Sequence, residues 1–491
     1  MSLTRHPGVR YILLFLSLSA VACARSIKPV IQPAPVPAPV AAAPRAKPST
    51  RPATPPEAEA DSNAARTVAD APATVLPSII RRGAGSQSPA QSASQPTART
   101  SASSRTDESD QPVRIALALA QPSVRLSATG DWSLFDRTGE HQLSVAHSGD
   151  SYYVDARDGA LNLTSPSGGR SSFRGPLVVR PTDPNAVLVF NGHHYRGELL
   201  VLSSGSGLTV VNRLAVEQYL RGVVPLEIGS DRTPFESAAV QAQAIAARSY
   251  TYTRLDGSHP YDMSATVLDQ VYGGMDAERP VADEAVEATH NMVLLYGGKV
   301  VNAPYHANSG GTTAAASEVW RSGDEPYLVS VSDRIPGTDR FYCQDSPKFS
   351  WTRTLDRGAL DAVLRKYLPQ YGHAPSSGIG EVRSIAETGR TGSGRVAGLT
   401  FTTDRGRFTV RGNDVRFVLR TPGGDVLPST LFSFDATTDD GHVTRLTIHG
   451  PGNGHGVGMD QWGAIARARA GQSYVTILET YYPGTNIGPV I

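Results

Sequence analysis

The chain has 491 residues, enough for two or more domains and a sizeable buried core. Lys+Arg 46 against Asp+Glu 45 give a formal net charge of +1 at pH 7, so no global field suits nucleic acid or an acidic partner. With Cys 2 the chain also has no disulfide framework to draw on, and stability must come from packing.

Residues 1–22 read as an export signal: Arg5 and Arg10 precede the apolar run YILLFLSLSA, which is too short to span a bilayer as a stable helix. Ala20, Val21 and Ala22 then precede Cys23, a pattern that resembles bacterial lipoprotein processing and that also suits ordinary signal cleavage. The lipid reading is favoured because a lone cysteine at the cleavage point has no other evident use, and it makes Cys23 a membrane anchor facing the periplasm or wall. Residues 23–112 are Pro-, Ala- and Ser-rich with few large apolar side chains, the composition of a disordered tether.

Folded sequence is expected over 113–491 as an α+β domain. Residues 113–211 alternate short Val-, Leu- and Tyr-rich runs with turn signals and read as β-rich. Residues 212–345 are the helical part. RLAVEQYLRGVV spaces Leu214, Val216, Tyr219 and Leu220 near helical period, ahead of Val-Val-Pro-Leu and Glu227. A second helix opens at Thr233 as N-cap, with Pro234 first and Glu236 closing a capping box, and its Ala-rich body predicts a central position among closely packed backbones. Residues 346–445 read as an inserted strand-rich part with a hairpin turning at Asp404-Arg405-Gly406. Residues 446–491 hold a Gly-rich loop that runs into a helix near Asp460.

Five strings in these parts carry chemistry. In VNRLAVEQYLRGVVPLEIGS, Glu227 stands among apolar neighbours; desolvation raises a carboxyl pKa, which is what a general acid for glycosidic cleavage requires, whereas the alternative is a carboxylate stabilising the next helix N-terminus. In QAQAIAARSYTY, Gln241 and Arg248 share a helix face, and a guanidinium there needs a ligand oxygen or a carboxylate such as Glu227 or Glu287. DQVYGGM offers Gln270 and Tyr272, and YHANSGGTT offers His306, Ser309 and Gly311; both suit loops whose thin backbone approaches a sugar, and both suit ordinary turns. GPGNGHGVGMDQWGA lacks the Lys-Ser/Thr of a P-loop, so Gly454, Gly456 and their neighbours His455, Met459 and Gln461 fit a backbone kept thin beside a polymer or a tight structural turn.

Taken in this order the strings resemble the SpoIID/LytB family, the stage II sporulation protein D group, from about Val113 to the terminal YYPGTNI. The resemblance implies action on peptidoglycan glycan strands, as a lytic transglycosylase or as a scaffold that enhances an amidase or other wall hydrolase. It implies Glu227 as the catalytic acid, with Gln241, Arg248, Gln270, Tyr272, His306, Ser309, Gly311, Gly454, His455, Gly456, Met459 and Gln461 around the substrate cleft. A lytic transglycosylase closes a 1,6-anhydro ring with the substrate's own hydroxyl and needs one carboxylate; Glu318 or Asp269 as a second would make the enzyme a hydrolase. Some members carry zinc on His and Cys ligands, but here Ser309 stands where a thiolate would serve and Cys343 is the one cysteine nearby, so no metal or other cofactor is expected.

Overall fold

The computed structural model describes residues 111–205, 207–320 and 323–490; the expected signal peptide, Cys23 and nearly all of the tether lie outside the described residues. The chain mixes helices and sheets, as the α+β expectation requires.

From Pro112 to Ala215 period-two alternation builds two antiparallel layers. One sheet runs from the edge strand Gln142–Ala146 through Trp132–Phe135, Leu177–Pro181, Glu198–Ser204 and Gly207–Ala215 to Pro112–Gln121. The other is centred on Ser123–Ala128 and Ser151–Arg157, and Trp132, Leu126, Val154, Leu161, Leu188 and Val210 fill the space between. The first sheet gains the short strand Met263–Ser264, parallel to Pro112–Gln121, which ties the helical part to this β layer.

Among the described residues eight helices follow: α1 (Val216–Ile228), α2 (Ser237–Tyr252), α3 (Pro280–Ala288), α4 (Ala316–Val319), α5 (Arg357–Tyr371), α6 (Asp414–Val418), α7 (Gln461–Arg469) and α8 (Tyr474–Tyr481). The capping box forms as the sequence predicts, with the Thr233 N–H donating to Glu236 Oε2 at 2.9 Å, but it heads a short 3-10 turn that leads into α2. Ala239, Ala242, Ala244, Ala246 and Ala247 are all buried, so α2 is surrounded by its neighbours.

One boundary differs from expectation. Val-Val-Pro-Leu continues α1 rather than following it, so Glu227 lies inside the last turn, before Gly229 leaves the helix with φ 103. Pro225 forfeits one backbone hydrogen bond there, and burial of Val223, Val224 and Ile228 holds the helix across it. Close packing also explains Gly222, where a Cβ would stand 2.6 Å from the Tyr272 ring.

The strands Ser350–Asp356, His442–Pro451 and Ser433–Asp439 form a separate three-stranded sheet. With α5, α6 and the hairpin Gly398–Thr403/Gly406–Arg411 it encloses a second core that includes Leu364, Phe401, Val415 and Ile448. The chain returns from this insertion beside the point where it left: Asn308 and Asn453 exchange backbone hydrogen bonds of 2.8 Å, and Tyr305–His306 pairs in parallel with Met459–Asp460.

Candidate active site

The last turn of α1 delivers Glu227 to the meeting point of α2, α7 and the loop before Tyr272. Its Oε1 accepts the Val271 N–H at 2.8 Å, and its carboxyl is hydrogen-bonded to the Gln461 side chain at the start of α7. Gln461 Nε2 in turn donates to Gln243 Oε1 on α2 at 3.3 Å. Protein encloses the carboxyl while part of the residue reaches solvent, as at the floor of a cleft. Burial pushes this carboxyl up to about 7, against the opposing pull of the Val271 and Gln461 hydrogen bonds. The phenols of Tyr219, Tyr250 and Tyr305, raised first by their own burial, all feel its charge. A carboxyl poised near neutrality can give a proton to a leaving oxygen and take one back.

The parallel pair Tyr305–His306/Met459–Asp460 sets the two motif loops side by side. The rings of His306 and His455 lie 5.5 Å apart, and Trp320 is 5.1 Å from His455; Tyr305, His455 and Trp320 each keep a small exposed part. Each imidazole is locked as a neutral tautomer: His306 Nδ1–H donates to Val457 O at 3.1 Å, and His455 Nδ1 accepts the Val457 N–H at 3.1 Å. Burial drives both below the ordinary histidine range, His455 to about 3. The Asp460 carboxylate caps α7 through Gly463 N–H at 2.9 Å and takes Ser309 N–H at 2.7 Å, so one side chain fastens both motif loops.

Most residues expected to touch substrate lie beneath the cleft instead. Arg248 is fully buried and makes a bidentate pair with Glu217, Nε to Oε1 at 2.6 Å and Nη2 to Oε2 at 2.7 Å, with further bonds to the Met292 and Val286 carbonyls. Its partner is neither Glu227 nor Glu287, because the Arg248 face of α2 looks to α1 and α3. Gln270 spends its amide on Tyr219, Thr251, Ala247 O and Tyr305, and Tyr272 donates to Asn212 Oδ1 at 2.8 Å. Ser309, Gly311, Gly456 and Met459 are buried as well, as are His306 and Gln461. Glu227, Gln241, Gly454 and His455 keep partial exposure. Gln241 makes no hydrogen bond to Glu227 or Gln461 among the described residues; Gln243, two positions on, is the glutamine that reaches the site. Tyr250, Tyr305 and Trp320 also escaped the sequence reading, since nothing in their local strings distinguishes a cleft ring from a core ring.

Neither alternative carboxylate hydrogen-bonds Glu227 among the described residues, and each is held by other partners. Glu318 accepts from Thr391 Oγ1 at 3.1 Å and from Ser393 N–H at 3.1 Å, pinning the insertion to α4. Asp269 Oδ2 accepts both the N–H and the hydroxyl of Ser264 at 2.8 Å.

Zinc does not fit these residues. His306 Nε2, the ring nitrogen without a partner, lies in the field of the buried Arg395 guanidinium, which opposes a cation. Cys343 clusters instead with Asp333 and Asp460, their ligand atoms within 4.8 Å of one another. Those carboxylates are already taken by Arg467, Tyr481 and the N–H groups of Cys343, Ser309 and Gly463. Burial and the two acids push the thiol far up, and three donors fall short of the four a structural zinc takes.

Comparison with known proteins bears on the family. The family model described as stage II sporulation protein, SpoIID, matches residues 204–296, which contain Glu227 and Gln243. A domain of unknown function matches residues 336–458, spanning the insertion. The chain is 33% identical over 300 residues to an uncharacterised protein of Brachyspira hyodysenteriae, covering 60% of this chain and 73% of that one. It is 27% identical over 294 residues to the stage II sporulation protein D of Bacillus subtilis, covering 56% and 75% respectively. To the amidase enhancer of Bacillus subtilis it is 29% identical over 300 residues, 55% of this chain but only 40% of that longer protein. With the ordered motifs, the family model and these relatives in agreement, the chain belongs to the SpoIID/LytB family.

Proposed function

We propose that this protein remodels the bacterial cell wall by cutting peptidoglycan glycan strands, with Glu227 as acid and then base of a lytic transglycosylase. The observation that carries the reading is the Glu227 carboxyl: enclosed, held by the Val271 N–H, raised to about 7, and hydrogen-bonded to no second carboxylate among the described residues. Glu227 protonates the glycosidic oxygen as its bond to C1 breaks, leaving an oxocarbenium-like centre. The C6 hydroxyl of the same sugar then attacks C1, Glu227 takes its proton, and a 1,6-anhydro end forms with the acid regenerated. An exported chain anchored through Cys23 would hold this cleft at its polymer. The name of one relative, amidase enhancer, favours a second reading in which the cleft binds strands and stimulates a partner hydrolase without turnover.

Digestion of purified glycan strands in ¹⁸O-labelled water separates the readings. Lytic transglycosylation gives unlabelled 1,6-anhydro ends, and Glu227→Gln lowers the rate by about 10²–10⁴-fold while binding persists. Labelled reducing ends mean hydrolysis. Strands bound but left intact by the wild type mean a scaffold.

A further inference from the structure

Gln243 stands out on α2 because the helix body around it is almost all small and apolar, yet this long amide is fully buried. Its Nε2 has no hydrogen-bond partner, a desolvation cost that an alanine would avoid. Among the described residues its one hydrogen bond is the acceptance, through Oε1, of Gln461 Nε2–H at 3.3 Å. Gln461 is itself hydrogen-bonded to the Glu227 carboxyl.

We propose that Gln243 is a positioning residue for Glu227: its carbonyl fixes which end of the Gln461 carboxamide faces the carboxyl. An amide has a donor end and an acceptor end of nearly equal shape, so packing alone does not choose between them. With Gln243 Oε1 holding one Nε2 hydrogen, the other is free for Glu227, and a donor there favours the ionised form. Without Gln243 the Gln461 amide can turn, offering its carbonyl to a protonated Glu227 and holding the proton in place. The remaining titratable groups around this carboxyl are the phenols of Tyr219, Tyr250 and Tyr305, and Asp269, whose charge acts on Tyr219 and Tyr250. None of these hydrogen-bonds Gln461 among the described residues.

The proposal rests on the reading of Glu227 as the acid, and its test has a readout apart from turnover. Gln243→Met keeps volume and removes both amide ends; Gln243→Leu serves if that variant does not fold. The Glu227 midpoint, followed by ¹³C-carboxyl NMR, is expected to rise by about one pH unit, the size of one hydrogen bond to a charged group. The alkaline limb of kcat should move with it while KM stays unchanged. Gln461→Leu should also raise the midpoint, and the double variant should match Gln461→Leu alone. A wild-type midpoint in the Gln243 variants, or shifts that add in the double variant, overturns the proposal. If the midpoint moves as expected but Glu227→Gln cuts at the wild-type rate, the positioning stands and the catalytic reading fails.

Discussion

Glu227→Gln should stabilise the protein, and only above a particular pH. The carboxyl has its ordinary value of 4.5 in the unfolded chain and about 7 in the fold, raised by burial. Between those values the native state binds more protons than the unfolded state, so stability falls as pH rises through this window. Below about pH 4 both states are protonated and the acid behaves like its amide. Above about pH 8 the native state carries a desolvated carboxylate, and the accumulated penalty is about 3 kcal/mol. Glutamine keeps the bond to Val271 N–H and never ionises, so the variant escapes that penalty. Urea unfolding at a series of pH values checks this. The two proteins should be nearly equal near pH 4, and Glu227→Gln should become more stable by about 2–3 kcal/mol near pH 8, with most of the change between pH 5 and 7. A difference that is flat with pH, or a variant less stable than wild type at pH 8, would refute burial as the cause and place the carboxylate in a polar setting.

Two other substitutions test the scaffold beneath the cleft. Arg248→Lys keeps the charge but loses the fork that meets both Glu217 oxygens, so it should lower unfolding free energy by about 2–4 kcal/mol while the folded fraction binds glycan as before; unchanged stability with lost binding would return Arg248 to the cleft. Gly456→Ala places a Cβ 2.2 Å from Arg395 Nη2 at a residue with φ +89, and should cost at least about 2 kcal/mol in urea unfolding; a neutral result would mean that the buried guanidinium moves freely.

The sequence made some of this legible and hid the rest for physical reasons. Glu227 and the two Gly-rich motifs were readable because chemistry and order point to them together, and the Asp404-Arg405 turn because alternation flanks it, with Thr403 opposite Gly406. The direction of each polar side chain was not. α2 is buried nearly all round, so it lacks the apolar stripe that would set its rotational phase, and Gln241 and Gln243 could not be told apart. Arg248 was recognisable as a cation needing a partner, but its partner Glu217 lies 31 residues earlier on another helix. Pro225 read as a break because local propensity disfavours it, whereas tertiary burial carries α1 through. Motif residues such as Gln270 and Ser309 proved to be the joinery of the cleft, a distinction that spacing cannot make.

The mutual bonds between Asn308 and Asn453 have a consequence for how this architecture diversifies. The excursion between them begins and ends side by side, and from within it Trp320 packs near His455, Asp333 holds Arg467 and Tyr481, and Arg395 donates to Ser309 O. Closing a longer excursion adds entropy only logarithmically, by about 0.6 kcal/mol per doubling of length. Length can therefore vary at exposed tips such as the Asp440-Gly441 turn, while the anchors at Asp333, Arg395 and Asp460 stay in place. Change in the outer module is thus constrained by the side chains it lends to the supports of the site.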